Sequence, residues 1–123
     1  MKNVLVICAY RDSVDRVLLR VSQRVQVRYF RTANELKNLF SMDSFEAYDL
    51  VIVAPFNWRL PYTATSMTRR CRDRFSGPVV AVCSEKGWAD NAVAGGASHV
   101  IKDLNEGMLL LEQLLFPSTT EGS

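Results

Sequence analysis

Residues Tyr48 to Asn57, YDLVIVAPFN, hold an unbroken apolar run of Leu50, Val51, Ile52, Val53 and Ala54, with a charged residue before it and a proline at its end. A run this short and this sharply bounded reads as a strand covered on both faces, which makes it the centre of a parallel sheet. Open α/β sheets place their chemistry at the carboxyl ends of their strands. Here that end offers only Ala54, Pro55, Phe56 and Asn57. The scaffold of an active site is present without its reactive groups.

The rest of the chain alternates around that strand. Asn3 to Ala9 form a first buried strand, and Asp12 or Ser13 follows as an N-cap ahead of Val14, Val17, Leu18 and Val21 at helical spacing. Val25, Val27 and Tyr29 alternate with Gln26, Arg28 and Phe30, as in a strand at or near a sheet edge. Thr32 and Glu35 form a capping box that opens a helix burying Leu36, Leu39 and Phe40. A third helix runs from about Tyr62 to Phe75 with Ala64, Met67, Cys71 and Phe75 inward, and Val79 to Cys83 is a further strand. A weak fourth helix, about Ala89 to Ala94, is stopped by Gly95 and Gly96. His99 to Lys102 is a short fifth strand, and a last helix spans about Leu104 to Phe116. Five strands alternating with five helices through short crossovers predict an α/β fold: a doubly wound, five-stranded parallel sheet of flavodoxin-like type, in three layers.

Length bounds this to one domain, residues 1–117, because 123 residues at 48% apolar content make one substantial core. Residues 118–123 read as a flexible tail or the start of a linker. No apolar run approaches the ~20 residues that cross a bilayer, and the start lacks a signal-peptide cleavage region, so a cytoplasmic protein without membrane contact is expected. Three cysteines, Cys8, Cys71 and Cys83, fit no metal spacing and are expected to be reduced and mostly buried. Up to Arg74 there are thirteen Lys or Arg against seven Asp or Glu, and from Phe75 onward two against six. Such asymmetry serves either a partner or simple solvation of helix faces. The densest basic run, Arg69, Arg70, Arg72 and Arg74, is broken by Asp73. It reads as a solvated face or a contact for an acidic protein, and direct nucleic acid contact is not expected.

Catalytic and cofactor readings find little support. The loop AYRDSVD after the first strand has no glycine with which to hold a ligand phosphate, so no nucleotide or flavin cofactor is expected. Cys8 and Cys83 have no evident base nearby, His99 is the only histidine, and no metal site is expected. Tyr10, Phe56, Trp58 and Trp88 fall in loops on the carboxyl side of the sheet, where they either plug the edge or line a small-molecule pocket. In the last helix Leu110, Leu111, Leu114 and Leu115 make one stripe for the sheet. Leu109 and Phe116 fall together on another side and form a candidate interface for a partner, a second copy or a further domain.

The order and spacing of these segments resemble the receiver domains of two-component response regulators, the CheY-like family, across residues 1 to about 117. NVLVI resembles the family's first strand, YDLVIV its third, GPVVAVCS its fourth, and AVAGGASHVIKD its glycine-alanine turn into the fifth. The resemblance implies phosphoryl transfer to an aspartate ending the third strand. It further implies an acidic pair after the first strand holding Mg²⁺, a hydroxyl ending the fourth strand and a lysine ending the fifth. Carried over by position, the acidic pair falls on Cys8 and Ala9, and the phosphoacceptor on Ala54. The hydroxyl falls on Cys83 with Ser84 beside it, and the lysine on Asp103 or, shifted by one residue, on Lys102. Carboxylates suit a hard cation, and a thiol and methyls do not. Asp49 sits at the wrong end of the central strand, and Asp12 is a lone carboxylate better suited to capping.

The chain therefore resembles a pseudo-receiver that keeps the fold without the phosphorylation site. The expected function is a phosphorylation-independent signalling and protein–protein interaction module and not an enzyme. It is read as the regulatory domain of a response-regulator-like protein, with a C-terminal output domain, for instance a transcriptional one, as one neighbour that the resemblance implies. The alternative is a small-molecule sensor that uses the vacated pocket.

Overall fold

The computed structural model describes residues 1–8, 12–54, 63–83 and 86–117. In chain order these form β1 (Lys2–Ile7), α1 (Asp12–Val17), a 3₁₀ turn (Ser22–Arg24), β2 (Val25–Phe30), α2 (Ala33–Leu39) and β3 (Leu50–Val53). There follow α3 (Ala64–Arg74), β4 (Val79–Val82), α4 (Lys86–Gly95), β5 (His99–Ile101) and α5 (Leu104–Leu115). The strands make one all-parallel sheet in the order β2-β1-β3-β4-β5, so the apolar run Leu50–Val53 lies at its centre. All four of its residues are buried.

Strand alternation divides the core in two. Val4, Val6, Leu50, Ile52, Val80, Val82 and Ile101 face α1 and α5, where Val14, Val17, Leu18, Val21, Leu111 and Leu115 meet them. Leu5, Ile7, Val51, Val53 and Val79 face α2 and α3, against Leu36, Leu39, Phe40, Met67, Cys71 and Phe75. The three-layer, doubly wound arrangement follows from this two-sided burial, since a parallel sheet must be covered on both faces.

Local signals fix the helix starts. Thr32 and Glu35 make the reciprocal capping box, with the Glu35 carboxylate accepting from the Thr32 N–H at 3.0 Å and from the Arg31 N–H at 2.8 Å. The Arg31 N–H is the leading reason that the Glu35 carboxyl is held below its ordinary pKa. Thr63 and Ser66 form a second reciprocal box at α3. The helices α1 and α4 differ in extent from the sequence reading, and β5 ends at Ile101, one residue before the expected Lys102. Helix α1 begins at Asp12, so Asp12 and Ser13 stand in its first turn and not ahead of it, and it ends after Val17. Helix α4 begins at Lys86, not near Ala89. Its weak intrinsic propensity is supported by a Lys86–Asp90 pair at 3.0 Å and by bonds from α3, in which Thr65 donates to Asn91 O and Arg69 to Ala94 O.

The arginines of α3 have a structural task. Every helix here runs back along the sheet, so helix carboxyl ends and their unpaired carbonyls gather at the amino edge of the strands. Arg74 donates to Phe40 O, Met42 O and Arg70 O, each at 2.9 Å, and so closes the end of α2. Arg72 donates to Phe75 O and Gly77 O, both at 2.9 Å, and to Gly96 O at 3.0 Å, closing the ends of α3 and α4 together. Most of the basic run is thus engaged with backbone carbonyls, where the sequence suggested a solvated or partner-facing stripe.

Candidate functional site

The carboxyl ends of β1, β3, β4 and β5 bring the positions of interest together. Just past each strand, Cys8 N–H donates to Phe30 O at 3.2 Å, Ala54 N–H to Ile7 O at 2.9 Å, and Cys83 N–H to Ile101 O at 2.8 Å. The register pairs Ile7 with Val53, Val53 with Ala81, and Val82 with Ile101. Ala54 therefore sits between Cys8 and Val82 on the neighbouring strands, with Ile101 beyond. All four belong to the α1/α5 side of the core. Cys8 has no exposed surface and Ala54 is 5% exposed, so this row is closed and apolar. Cys83, one residue further along β4, is buried as well.

Lys102 and Asp103 resolve differently. β5 ends at Ile101, so Lys102 lies just outside the strand and is exposed. Asp103 is the N-cap of α5, its Oδ1 accepting from Asn105 N–H at 2.8 Å and Glu106 N–H at 3.3 Å. Its carboxylate is engaged in the cap. A shallow cleft of about 220 Å³ beside it is bounded by Val100, Glu106 and Leu110. Asp49 is far from this edge: its carboxylate accepts from Asn3 N–H at 2.8 Å, and its own N–H donates to Asn3 O at 2.7 Å. It ties the amino ends of β1 and β3.

Ala9, Tyr10, Phe56, Trp58 and Ser84 lie outside the described residues. Trp88 belongs to α4 and not to a loop, because that helix starts earlier than its sequence suggests, and it is half-buried against the α2/α3 side of the core. The proposed interface pair separates. Leu109 is 53% exposed on α5, whereas Phe116 packs against the α1/α5 core with the Arg24 guanidinium 4.1 Å above its ring.

Chemically, the described residues at this edge offer thiols, methyls, the exposed Lys102 ammonium and the carboxylates of Asp12, Asp103 and Glu106 at the helix starts, of which Asp103 is engaged in the α5 cap. Among the described residues no group of three or more His, Cys, Asp and Glu side chains is placed to hold a metal ion. His99 stands at the opposite end of β5, its Nδ1 3.0 Å from the Ser98 hydroxyl, which itself bridges the Val79 N–H and C=O. Burial pushes the Cys71 thiol up to about 12, which removes it as a nucleophile at neutral pH. No helix among the described residues is long and apolar enough to cross a membrane.

No protein-family model matches the sequence, and no curated protein does. Solved structures do match in fold. A two-component response regulator from Clostridium difficile superposes with a TM-score of 0.68 at 16% identity, covering 94% of this chain and 96% of that one. A response regulator from Thermotoga maritima gives 0.67 at 20% identity, covering 94% and 98%. A CheY-like protein from Pseudomonas aeruginosa gives 0.61 at 15% identity, covering 94% of each chain. The fold of this chain is the receiver fold of these response regulators, over nearly its whole length.

Sequence reasoning missed three structural features. The arginine bonds to the carbonyls of Phe40, Met42 and Gly96 carry no local signature, because these acceptors lie 24 to 34 residues away. The Glu46 carboxylate that accepts from Ser76 N–H at 2.8 Å is equally non-local. The Asp103 cap was legible, since Asp103 and Glu106 stand at capping-box spacing before an apolar run.

Proposed function

We propose that this chain is a phosphorylation-independent signalling and protein–protein interaction module, a receiver fold serving as the regulatory domain of a response-regulator-like protein. The closed row Cys8–Ala54–Val82–Ile101 is the observation that carries this reading. At the positions that would correspond to the cation ligand and the phosphoacceptor, it puts a buried thiol and a methyl, neither of which binds a hard cation or forms an acyl phosphate. The module acts by contact and not by catalysis. Its partner surface is the outer side of α5 around Leu109, flanked by half-buried Met108 and Leu110. Phe116, partly buried on the core with the Arg24 guanidinium over its ring, is left out of that surface in this reading. An output domain joined beyond residue 117, including a transcriptional one, is compatible with this role.

The test compares self-association and partner binding before and after treatment with an acyl phosphate and Mg²⁺. The reading expects no change, and a phosphodonor-dependent change in either would overturn it. Ala54→Asp alone should also fail to restore a response, since a buried carboxylate beside Cys8 still lacks a cation site. A small molecule that stabilises the chain in a thermal-shift screen, by RT ln(1 + [L]/Kd), would favour the sensor reading instead.

A further inference from the structure

The sheet has two edges of very different use. β5 is only three residues long, whereas β2 runs for six residues in unbroken register with β1, from Lys2↔Val25 to Ile7↔Phe30. The Phe30 carbonyl accepts from Cys8 N–H, so its backbone groups point into the sheet. The alternation of a parallel ladder turns Gln26 and Arg28 the same way and sends the N–H and C=O of Val25 and Val27 outward. On the face shared with α2, Gln26 and Arg28 are exposed, and the cover there is at Phe30, the carboxyl end of the strand.

This edge is also basic. Arg24, Arg28 and Arg31 recur along it, and β2 contains no acidic residue. The nearby carboxylates are already engaged. Asp15 accepts from the Tyr29 hydroxyl, Glu35 accepts from the Arg31 and Thr32 N–H groups, and Glu112 is shared between Arg20 at 2.9 Å and Arg24 at 3.3 Å. No carboxylate pairs with Arg28 among the described residues. Its guanidinium lies 5.7 Å from the Phe30 ring centre.

We propose that the outer edge of β2 takes up an acidic, extended protein segment as an added strand, through the backbone groups of Val25 and Val27 and the charge of Arg28. A second copy of β2 is a poor occupant. Two copies of this edge can bond only through the outward groups of Val25, Val27 and Tyr29, so an antiparallel copy centred on Val27 would set Arg28 diagonally across from its own counterpart on the same face, with no acidic side chain in either strand to offset them. Like charges brought together across a strand pair oppose the pairing. An acidic strand meets the same arginines favourably while completing the ladder, and alternate side chains supply its specificity. This surface is separate from the Leu109 side of α5, and its test reads peptide binding and not phosphorylation, so either idea can fail alone.

The test titrates the whole ¹⁵N-labelled chain with a short synthetic peptide alternating glutamate and valine, with a lysine-valine peptide as control. The expected result is binding of the acidic peptide only, with new exchange protection at the Val25 and Val27 amides. Arg28→Ala should weaken it and Arg28→Glu should weaken it further, by about fivefold or more. Arg28 is exposed, so both variants should fold, and unchanged amide spectra elsewhere verify this. The proposal is overturned by equal binding of the lysine peptide, by no binding at millimolar peptide, or by insensitivity to Arg28→Glu. It is also overturned if a single-stranded oligonucleotide displaces the peptide and the Val25 and Val27 amides never gain protection, which would mark a charged patch for nucleic acid and not a strand acceptor.

Discussion

Arg72 Nε donates to the Gly96 carbonyl at 3.0 Å, while Gly96 itself sits at φ +111° with its α-carbon turned toward the Arg72 side chain. A Cβ on Gly96 would come within 2.9 Å of Arg72 Cγ, so the glycine permits both the left-handed turn and the close approach. One guanidinium thereby joins the ends of α3 and α4. Arg72→Met, which keeps much of the stem and removes the donors, should cost about 2–3 kcal/mol in urea unfolding, because three carbonyls lose a charged partner. Gly96→Ala should cost about 1–3 kcal/mol through backbone strain. A loss below about 0.5 kcal/mol for Arg72→Met would mean that water satisfies these carbonyls equally well.

Acid stability should report the α2 cap. The Glu35 carboxyl, pulled down chiefly by the Arg31 N–H, has a folded pKa below its ordinary 4.5. A depressed carboxyl stabilises the fold above its unfolded pKa and loses that contribution as pH falls through the folded value. Glu35→Gln should therefore be less stable than the wild type at neutral pH. The gap in thermal midpoint should close as pH falls below about 4. A gap that stays constant with pH would show that the charge of Glu35 is not what the cap uses.

The cysteines should stay reduced. Cys8 and Cys83 follow β1 and β4 with β3 between them, about two strand spacings of ~4.8 Å apart, beyond the Cα separation that a disulfide spans. All three thiols are buried. Thiol titration should find almost no reaction in the native chain and three equivalents after unfolding without reductant. One equivalent after unfolding would mean a bridge had formed.

What the sequence made legible follows from local pattern. The run Leu50–Val53 and the Thr32/Glu35 box carry their meaning within a few residues and stand where their patterns place them, and Val14, Val17, Leu18 and Val21 are all buried although α1 itself ends at Val17. The extent of α4 was not legible, because Gly87 and Asp90 are weak helix formers and the support comes from Thr65 and Arg69 on α3. The site positions came from the family resemblance and not from the residues themselves, and the strand register sets two of them, Cys8 and Ala54, side by side. The resemblance leaves the lysine position open between Lys102 and Asp103, although the spacing of Asp103 and Glu106 already signals the α5 cap.

Leu109 and Phe116 should separate experimentally. Leu109→Glu leaves the core intact, so its unfolding free energy should change by about 0.5 kcal/mol or less, while any dimer or partner complex weakens in sedimentation. Phe116→Ala removes a ring packed on the core under Arg24 and should destabilise the chain by about 1–2 kcal/mol. Association that responds to Phe116→Ala and ignores Leu109→Glu would move the interface off the outer side of α5.

The most direct test of the phosphorylation-independent reading is the intact mass of the chain after incubation with an acyl phosphate and Mg²⁺. Ala54 has no nucleophilic atom, Cys8 beside it is fully buried, the Asp49 carboxylate is held at the amino end of β1, and the Asp103 carboxylate is engaged in the α5 cap. The mass should remain that of the untreated chain. A gain of one phosphate, mapped to any aspartate, would contradict the account.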